Sequence, residues 1–135
     1  MSLILDASVT LAWYFEDEAS PATDEVLDRV VKAGAVVPPL WRFEVGNGLQ
    51  MALRRKRIDF AYRDDALAEL TAMPITIDAD ADAHAWTSTL RLSERFSLTL
   101  YDAAYIELAH RRALPLATLD GAMRAAAQDL GLTLL

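Results

Sequence analysis

The chain has no cysteine, which excludes disulfides, zinc–thiolate sites and thiol nucleophiles together. Histidine is almost as scarce. His84 and His110 are the only two, they do not form a ligand pair at helical spacing, and His110 beside Arg111 and Arg112 reads as charge at a helix C-terminus. No apolar run approaches the ~20 residues needed to cross a bilayer, and the N-terminus lacks the basic and apolar segments of a secretory signal, so a cytoplasmic protein is expected. Cations are also short: 13 Lys and Arg face 20 Asp and Glu, a net charge of −7. That balance argues against broad electrostatic binding to nucleic acid. It leaves room for a nuclease, because acids that hold a divalent cation would supply part of the excess. The only dense basic run, Arg54-Arg55-Lys56-Arg57, reads equally as a solvated helix end or as an RNA-contacting patch.

What is present is a 135-residue chain, 53% hydrophobic, long enough to bury a core as one domain, residues 1–135. Leu3-Ile4-Leu5 reads as a strand running into Asp6, followed by a short helix from Val9 to Phe15. Ser20 and Pro21 have the pattern of an N-cap followed by proline in the first helical position, and Gly34 ends that helix. Ala35 to Val37 is a second strand closed by Pro38 and Pro39. A helix over Leu40 to Arg55 follows, with Trp41, Phe43, Val45, Leu49 and Leu53 on it; Gly46 and Gly48 in its interior imply close approach of another backbone or a partner. Asp59 caps the next helix, with Ala66, Leu67, Leu70 and Met73 inward and Pro74 as its stop. Ile75 to Ile77 is a strand, and Asp78 caps a helix carrying Ala83, Trp86 and Leu90. A helix over Tyr101 to Arg112, a strand over Leu114 to Thr118, a helix from Gly121 to Leu130 and a last strand over Leu132 to Leu135 complete the chain. Strands alternating with helices predict a three-layer α/β/α sandwich with a mostly parallel central sheet.

Four acids repeat one placement. Asp6 and Asp120 each follow a strand and precede a helix. Asp102 lies in the first turn of its helix, three residues after Thr99, and Glu44 near the start of the helix after the two prolines. Each has a local explanation in capping or in the helix dipole. Their joint placement has none, because in one parallel sheet all four converge on the edge where ligands bind. Converging carboxylates repel unless a cation neutralises them, and an all-oxygen donor set suits Mg²⁺ or Mn²⁺. Asp78, Asp80 and Asp82 open like a calcium loop, but Ala83 and Thr89 stand where glycine and glutamate belong.

Leu3 to Val9, Glu44 with Asn47 one turn later, Leu100-Tyr101-Asp102-Ala103-Ala104-Tyr105 and Leu116 to Asp120 together resemble the PIN-domain ribonucleases, and among them the VapC toxins of toxin–antitoxin pairs. The resemblance runs from the first strand to the last. It implies a Mg²⁺- or Mn²⁺-dependent endoribonuclease with Asp6, Glu44, Asp102 and Asp120 as its acidic set. It also implies supporting polar roles for Ser8, Asn47 or Thr118, and cleavage to a 5′-phosphate and a 3′-hydroxyl. On this basis Asp6 and Asp102 are expected to hold the principal metal, Asp120 to complete or water-bridge the site, and Glu44 to orient the attacking water or bind a second ion. A homodimer, a VapB-like antitoxin bound over the site and a tRNA or rRNA substrate are implied as well. Arg54 to Arg57, Arg91, Arg95, Arg111 and Arg112 are the candidates for RNA backbone contacts. Alternative readings are a housekeeping nuclease of RNA processing, and a non-catalytic RNA- or protein-binding module whose acids merely cap helices.

Overall fold

A parallel strand buried on both faces reads as an unbroken apolar run, and Leu3-Ile4-Leu5 is one: all three residues are fully buried. In the computed structural model, which describes residues 1–135, this is β1 (Leu3–Leu5), at the interior of a four-stranded sheet. Its companions are β2 (Ala35–Val37), β3 (Ile75–Ile77) and β4 (Leu116–Ala117). The order is β3-β2-β1-β4 and every pairing is parallel, with Leu3 opposite Ala35 and Leu5 opposite Ala117. The segment expected as a fifth strand reaches the sheet through a single bridge, Leu134 to Leu116.

Eight helices flank this sheet: α1 (Ala7–Ala12), α2 (Pro21–Ala33), α3 (Leu40–Arg54), α4 (Phe60–Ala72), α5 (Ala81–His84), α6 (Ser88–Phe96), α7 (Leu100–Arg112) and α8 (Gly121–Asp129). Their starts follow local chemistry. Ser20 and Thr23 form a reciprocal capping box ahead of Pro21, and Asp59, Thr99 and Asp120 each accept a backbone N–H of the first turn. Helix α7 packs on β1 and β4 and carries five fully buried residues, Ala103, Tyr105, Ile106, Leu108 and Ala109. Helices α1 and α3 pack together at Gly48, where an added Cβ would stand 2.5 Å from Leu11 Cδ1. The close approach expected at this glycine is real, though it is made by a side chain. At Gly46 nothing lies within 4 Å.

The helix expected from Asp78 through Leu90 is two helices, α5 and α6, separated by a turn in which Thr87 has φ −120° and ψ −101°. The break interrupts the helical spacing of Ala83, Trp86 and Leu90, and Trp86 and Leu90 are exposed. Phe43 and Leu67 are exposed too. Asp78 does not cap α5. It is fully buried and accepts hydrogen bonds from Arg111 and Arg112 at the end of α7, with Nη2 of each 2.7 Å from a carboxylate oxygen. Arg111 also pairs with the buried Glu107 one turn back. No helix is long and apolar enough to cross a membrane.

Candidate functional site

Because the strands are parallel, the residues that follow β1 and β4 emerge at the same edge of the sheet. Asp6 follows β1, and Thr118 to Asp120 follow β4. Asp6 occupies the N-cap position of α1, yet its side chain makes no capping bond. It takes two hydroxyls instead. Ser8 Oγ donates at 2.6 Å and Thr118 Oγ1 at 2.7 Å, both to Oδ2. Each hydroxyl is oriented by a backbone donor, Leu119 N–H onto Ser8 Oγ at 3.0 Å and Asp120 N–H onto Thr118 Oγ1 at 3.1 Å. Oδ1 is left with no side-chain donor, and Asp6 lines a cleft of about 370 Å³.

The same cleft is lined by Ser8, Glu44, Asn47, Asp102 and Asp120. The structure thus brings together all four acids singled out from the sequence, with Ser8 and Asn47 beside them and Thr118 beneath Asp6. Asn47 is exposed and lies at the rim. No lysine or arginine lines the cleft.

Two more of the acids are tethered, Asp120 within its own helix and Glu44 from α7. Asp120 Oδ1 accepts Met123 N–H at 2.9 Å, capping α8. Glu44 Oε1 accepts the hydroxyl of Tyr105 at 2.6 Å. Tyr105 was not singled out from the sequence as a site residue. It lies three residues after Asp102 on one helix face, which is the signal that pointed to it. Arg124, one turn into α8, donates to the Thr118 and Leu135 carbonyls and ties the segment after β4 to the C-terminus.

The electrostatics follow from this crowding. Burial raises the Asp6 carboxyl above its ordinary range; the Ser8 and Thr118 hydroxyls oppose the shift and the charge of Asp120 adds to it. Glu44 is raised by burial and by the charges of Asp6 and Asp102, with the Tyr105 hydrogen bond opposing. Asp102 is raised by burial, by Asp120 and by Asp6, with Thr99 opposing. Carboxylates withdrawn from water without a protein cation are costly, and here hydrogen bonds offset only part of that cost. No three of the acids close into a compact ligand group. The donor chemistry nonetheless suits a hard divalent cation: every charged donor is a carboxylate, and both side-chain hydrogen bonds to Asp6 go to Oδ2.

Of the arginines considered as RNA contacts, Arg57 pairs with Asp17, Arg95 with Asp129, and Arg111 and Arg112 with Asp78. Arg54, Arg55 and Arg91 form no ion pair in the chain.

Comparison with known proteins gives a consistent frame. Ribonuclease VapC3 of Pyrobaculum aerophilum is 28% identical over 120 residues, covering 89% of this chain and 90% of that protein. The crystal structure of PAE2754 from Pyrobaculum aerophilum superposes with a TM-score of 0.70 at 25% identity, covering 99% of this chain and 92% of the other. The crystal structure of VapBC2 from Rickettsia felis, bound to a DNA fragment from their promoter, superposes with a TM-score of 0.62 at 12% identity, covering 100% and 98%, a likeness of fold. The PIN domain family profile matches residues 3–129, from β1 to the end of α8. A parallel sheet with an acid-lined cleft at its carboxyl edge, matched by that profile over nearly its whole length, places this chain in the PIN domain family.

Proposed function

We propose that this chain is an endoribonuclease that uses Mg²⁺ or Mn²⁺ and serves as the toxin of a toxin–antitoxin pair. The observation that carries the reading is the meeting of four carboxylates in one cleft that no protein cation neutralises. Membership of the PIN family and the name of the relative Ribonuclease VapC3 support it. Asp6 and Asp102 would hold the ion, and Asp120 would complete or water-bridge its shell. When bound, the ion supplies Lewis acidity to the phosphodiester and a water of lowered pKa.

The chain's own residues prepare the rest. The Ser8 and Thr118 hydroxyls lock the Asp6 carboxylate through Oδ2, so that Oδ1 keeps one direction. The Tyr105 hydroxyl locks Glu44 through Oε1 and leaves Oε2 to take a proton from the attacking water. A carboxyl raised above its ordinary range, as Glu44 is, is a better base for that transfer. The substrate proposed is a tRNA or rRNA, and the partners a second copy of this chain and a VapB-like antitoxin. A basic antitoxin side chain placed among the acids would inhibit by occupying the position of the cation.

The test is to incubate the chain with total RNA and Mg²⁺ or Mn²⁺ and to sequence new 5′-phosphate ends, with Asp6→Ala alongside. Discrete ends that disappear with EDTA and in the variant are expected. A few sites in one structured RNA fit the toxin, and dispersed processing sites a housekeeping nuclease. A folded chain that cleaves no better than the variant overturns the nuclease reading in favour of a binding module.

A further inference from the structure

Beside the acid cleft lies a second hollow of about 240 Å³, walled by Leu40, Leu100, Tyr101 and Ala104. The two are joined by their elements. Tyr101 lines the hollow and Asp102 the cleft; Leu40 lines the hollow and Glu44, one turn on, lines the cleft. Along α3, Leu40, Phe43 and Asn47 fall on one stripe at three- and four-residue spacing, leading from the hollow to the cleft rim. Phe43 is 81% exposed and Tyr101 64%, so two aromatic side chains stand in water immediately before two of the acids.

One polar group in the hollow stands out. Thr89 is only 2% exposed and lines it, and its hydroxyl takes no partner from the chain. No side-chain polar atom sealed inside the protein lacks a partner, so this hydroxyl keeps a small access to solvent. Asp82 lines the same hollow. An apolar slot with an aromatic wall, one free hydroxyl and one carboxylate acceptor has the composition of a site for a planar heterocycle that carries ring nitrogens and an exocyclic amine.

Neither cavity is lined by a lysine or arginine. A phosphodiester strand brought to the acids gains no side-chain ion pair there, so beyond the ion that the acids would hold, the contacts open to it close to the scissile bond are those of its bases. Bases are available for stacking only where the RNA is unpaired. On the reading of the chain as a ribonuclease, we infer that the hollow beside Tyr101 receives an unpaired nucleobase next to the cleaved phosphate, with Tyr101 as its stacking wall and Thr89 and Asp82 reading its edge. Tyr101 and Thr89 are then positioning and specificity residues.

The experiment uses a short single-stranded oligoribonucleotide from which one base at a time is removed. Its binding to the Asp6→Asn chain is followed by fluorescence anisotropy, and its cleavage by the wild-type chain with Mn²⁺ is followed in parallel. Removal of one base beside the cleavage site is expected to weaken binding roughly five- to hundredfold, the range for loss of one stacked base, and to raise KM more than it lowers kcat. Tyr101→Ala should flatten that position dependence, Tyr101→Phe should keep it, and Thr89→Val should alter which base is preferred. Position dependence that is unchanged in Tyr101→Ala overturns the proposal. If that flat effect comes with a changed sedimentation coefficient, the hollow seats a protein partner instead. The two readings fail separately. Tyr101-dependent binding without cleavage by the wild-type chain removes the nuclease and keeps the base site, whereas cleavage indifferent to every missing base removes the base site and keeps the nuclease.

Discussion

Two aspartates in this chain follow parallel strands and are withdrawn from water, and their surroundings are opposite. Asp78, after β3, is met by Arg111 and Arg112 with four hydrogen bonds. Burial alone would raise its carboxyl; the bonds and charges of the two arginines outweigh that and hold it below its ordinary range. Asp6, after β1, receives two hydroxyls and faces three other acids, and its carboxyl is held above the ordinary range. A buried acid with its cation is a structural tie between α7 and the sheet edge. A buried acid deprived of one, beside others like it, is stability withheld for a ligand.

That contrast can be broken most sharply at Asp6. Asp6→Asn keeps an oxygen for both hydroxyls and removes the charge; cleavage should fall by roughly a hundred- to a thousandfold, the scale for loss of one preorganised electrostatic group. In EDTA at neutral pH the same variant should melt higher than wild type, because the carboxyl that burial and Asp120 hold above its ordinary range no longer has to ionise. Lower activity with no gain in stability would mean that the acids do not strain one another. Asp78→Ala should do the reverse. It leaves two arginines without their partner and should cost about 3 kcal/mol in urea unfolding, the low end for breaking a buried pair because Arg112 keeps access to water. An Asp78→Ala chain as stable as wild type would remove the tie between α7 and β3.

The pH dependence separates the two regions by sign. Asp78 has a folded value below the ordinary 3.8, so its contribution is present above that value and lost as pH falls through the folded one. Asp6, Glu44 and Asp102 have raised values, so their ionisation costs stability above those values. Metal-free wild type should therefore gain stability as pH falls through the raised values toward the ordinary carboxylate range, and lose it again below that range as Asp78 is protonated. Thermal melts of wild type, Asp6→Asn and Asp78→Ala across that range check both limbs: the first variant should blunt the gain, the second the loss. The smallest effect is expected from Tyr105→Phe, which frees Glu44 from its one hydroxyl. It should lower kcat several-fold, on the scale of about 1 kcal/mol for a hydrogen bond, and shift the acid limb of the rate profile to higher pH, since the hydrogen bond opposes the rise of Glu44.

Much of the fold was legible because its signals are local. The uniform apolar run of β1, the Ser20–Pro21 start of α2 and the Pro74 stop each act within a few residues, and each stands where the pattern put it. The edges of the sheet were less legible. Leu114 and Leu132 look like strand residues, but only Leu116 and Ala117 form β4, and the terminal segment makes one bridge. Pairing depends on a neighbour at the right height, which no local pattern encodes. Asp78 misled for the same reason. In the sequence it precedes a helix and resembles a cap, and the arginines that claim it are 33 and 34 residues away.

By itself, the sequence determined that Asp6 and Asp120 carry charge just after two strands, and hence that these two share one edge of a parallel sheet, whereas Glu44 and Asp102 reach that edge from the helices α3 and α7. Only the tertiary structure decided which buried acid is paired and which is not, that Tyr105 reaches Glu44 across 61 positions of chain, and that an apolar hollow with a free Thr89 hydroxyl lies beside the cleft. The physical reason is range. Capping, turn chemistry and strand alternation are settled within about four residues, whereas the pairing of a buried charge is settled by whatever packing brings next to it.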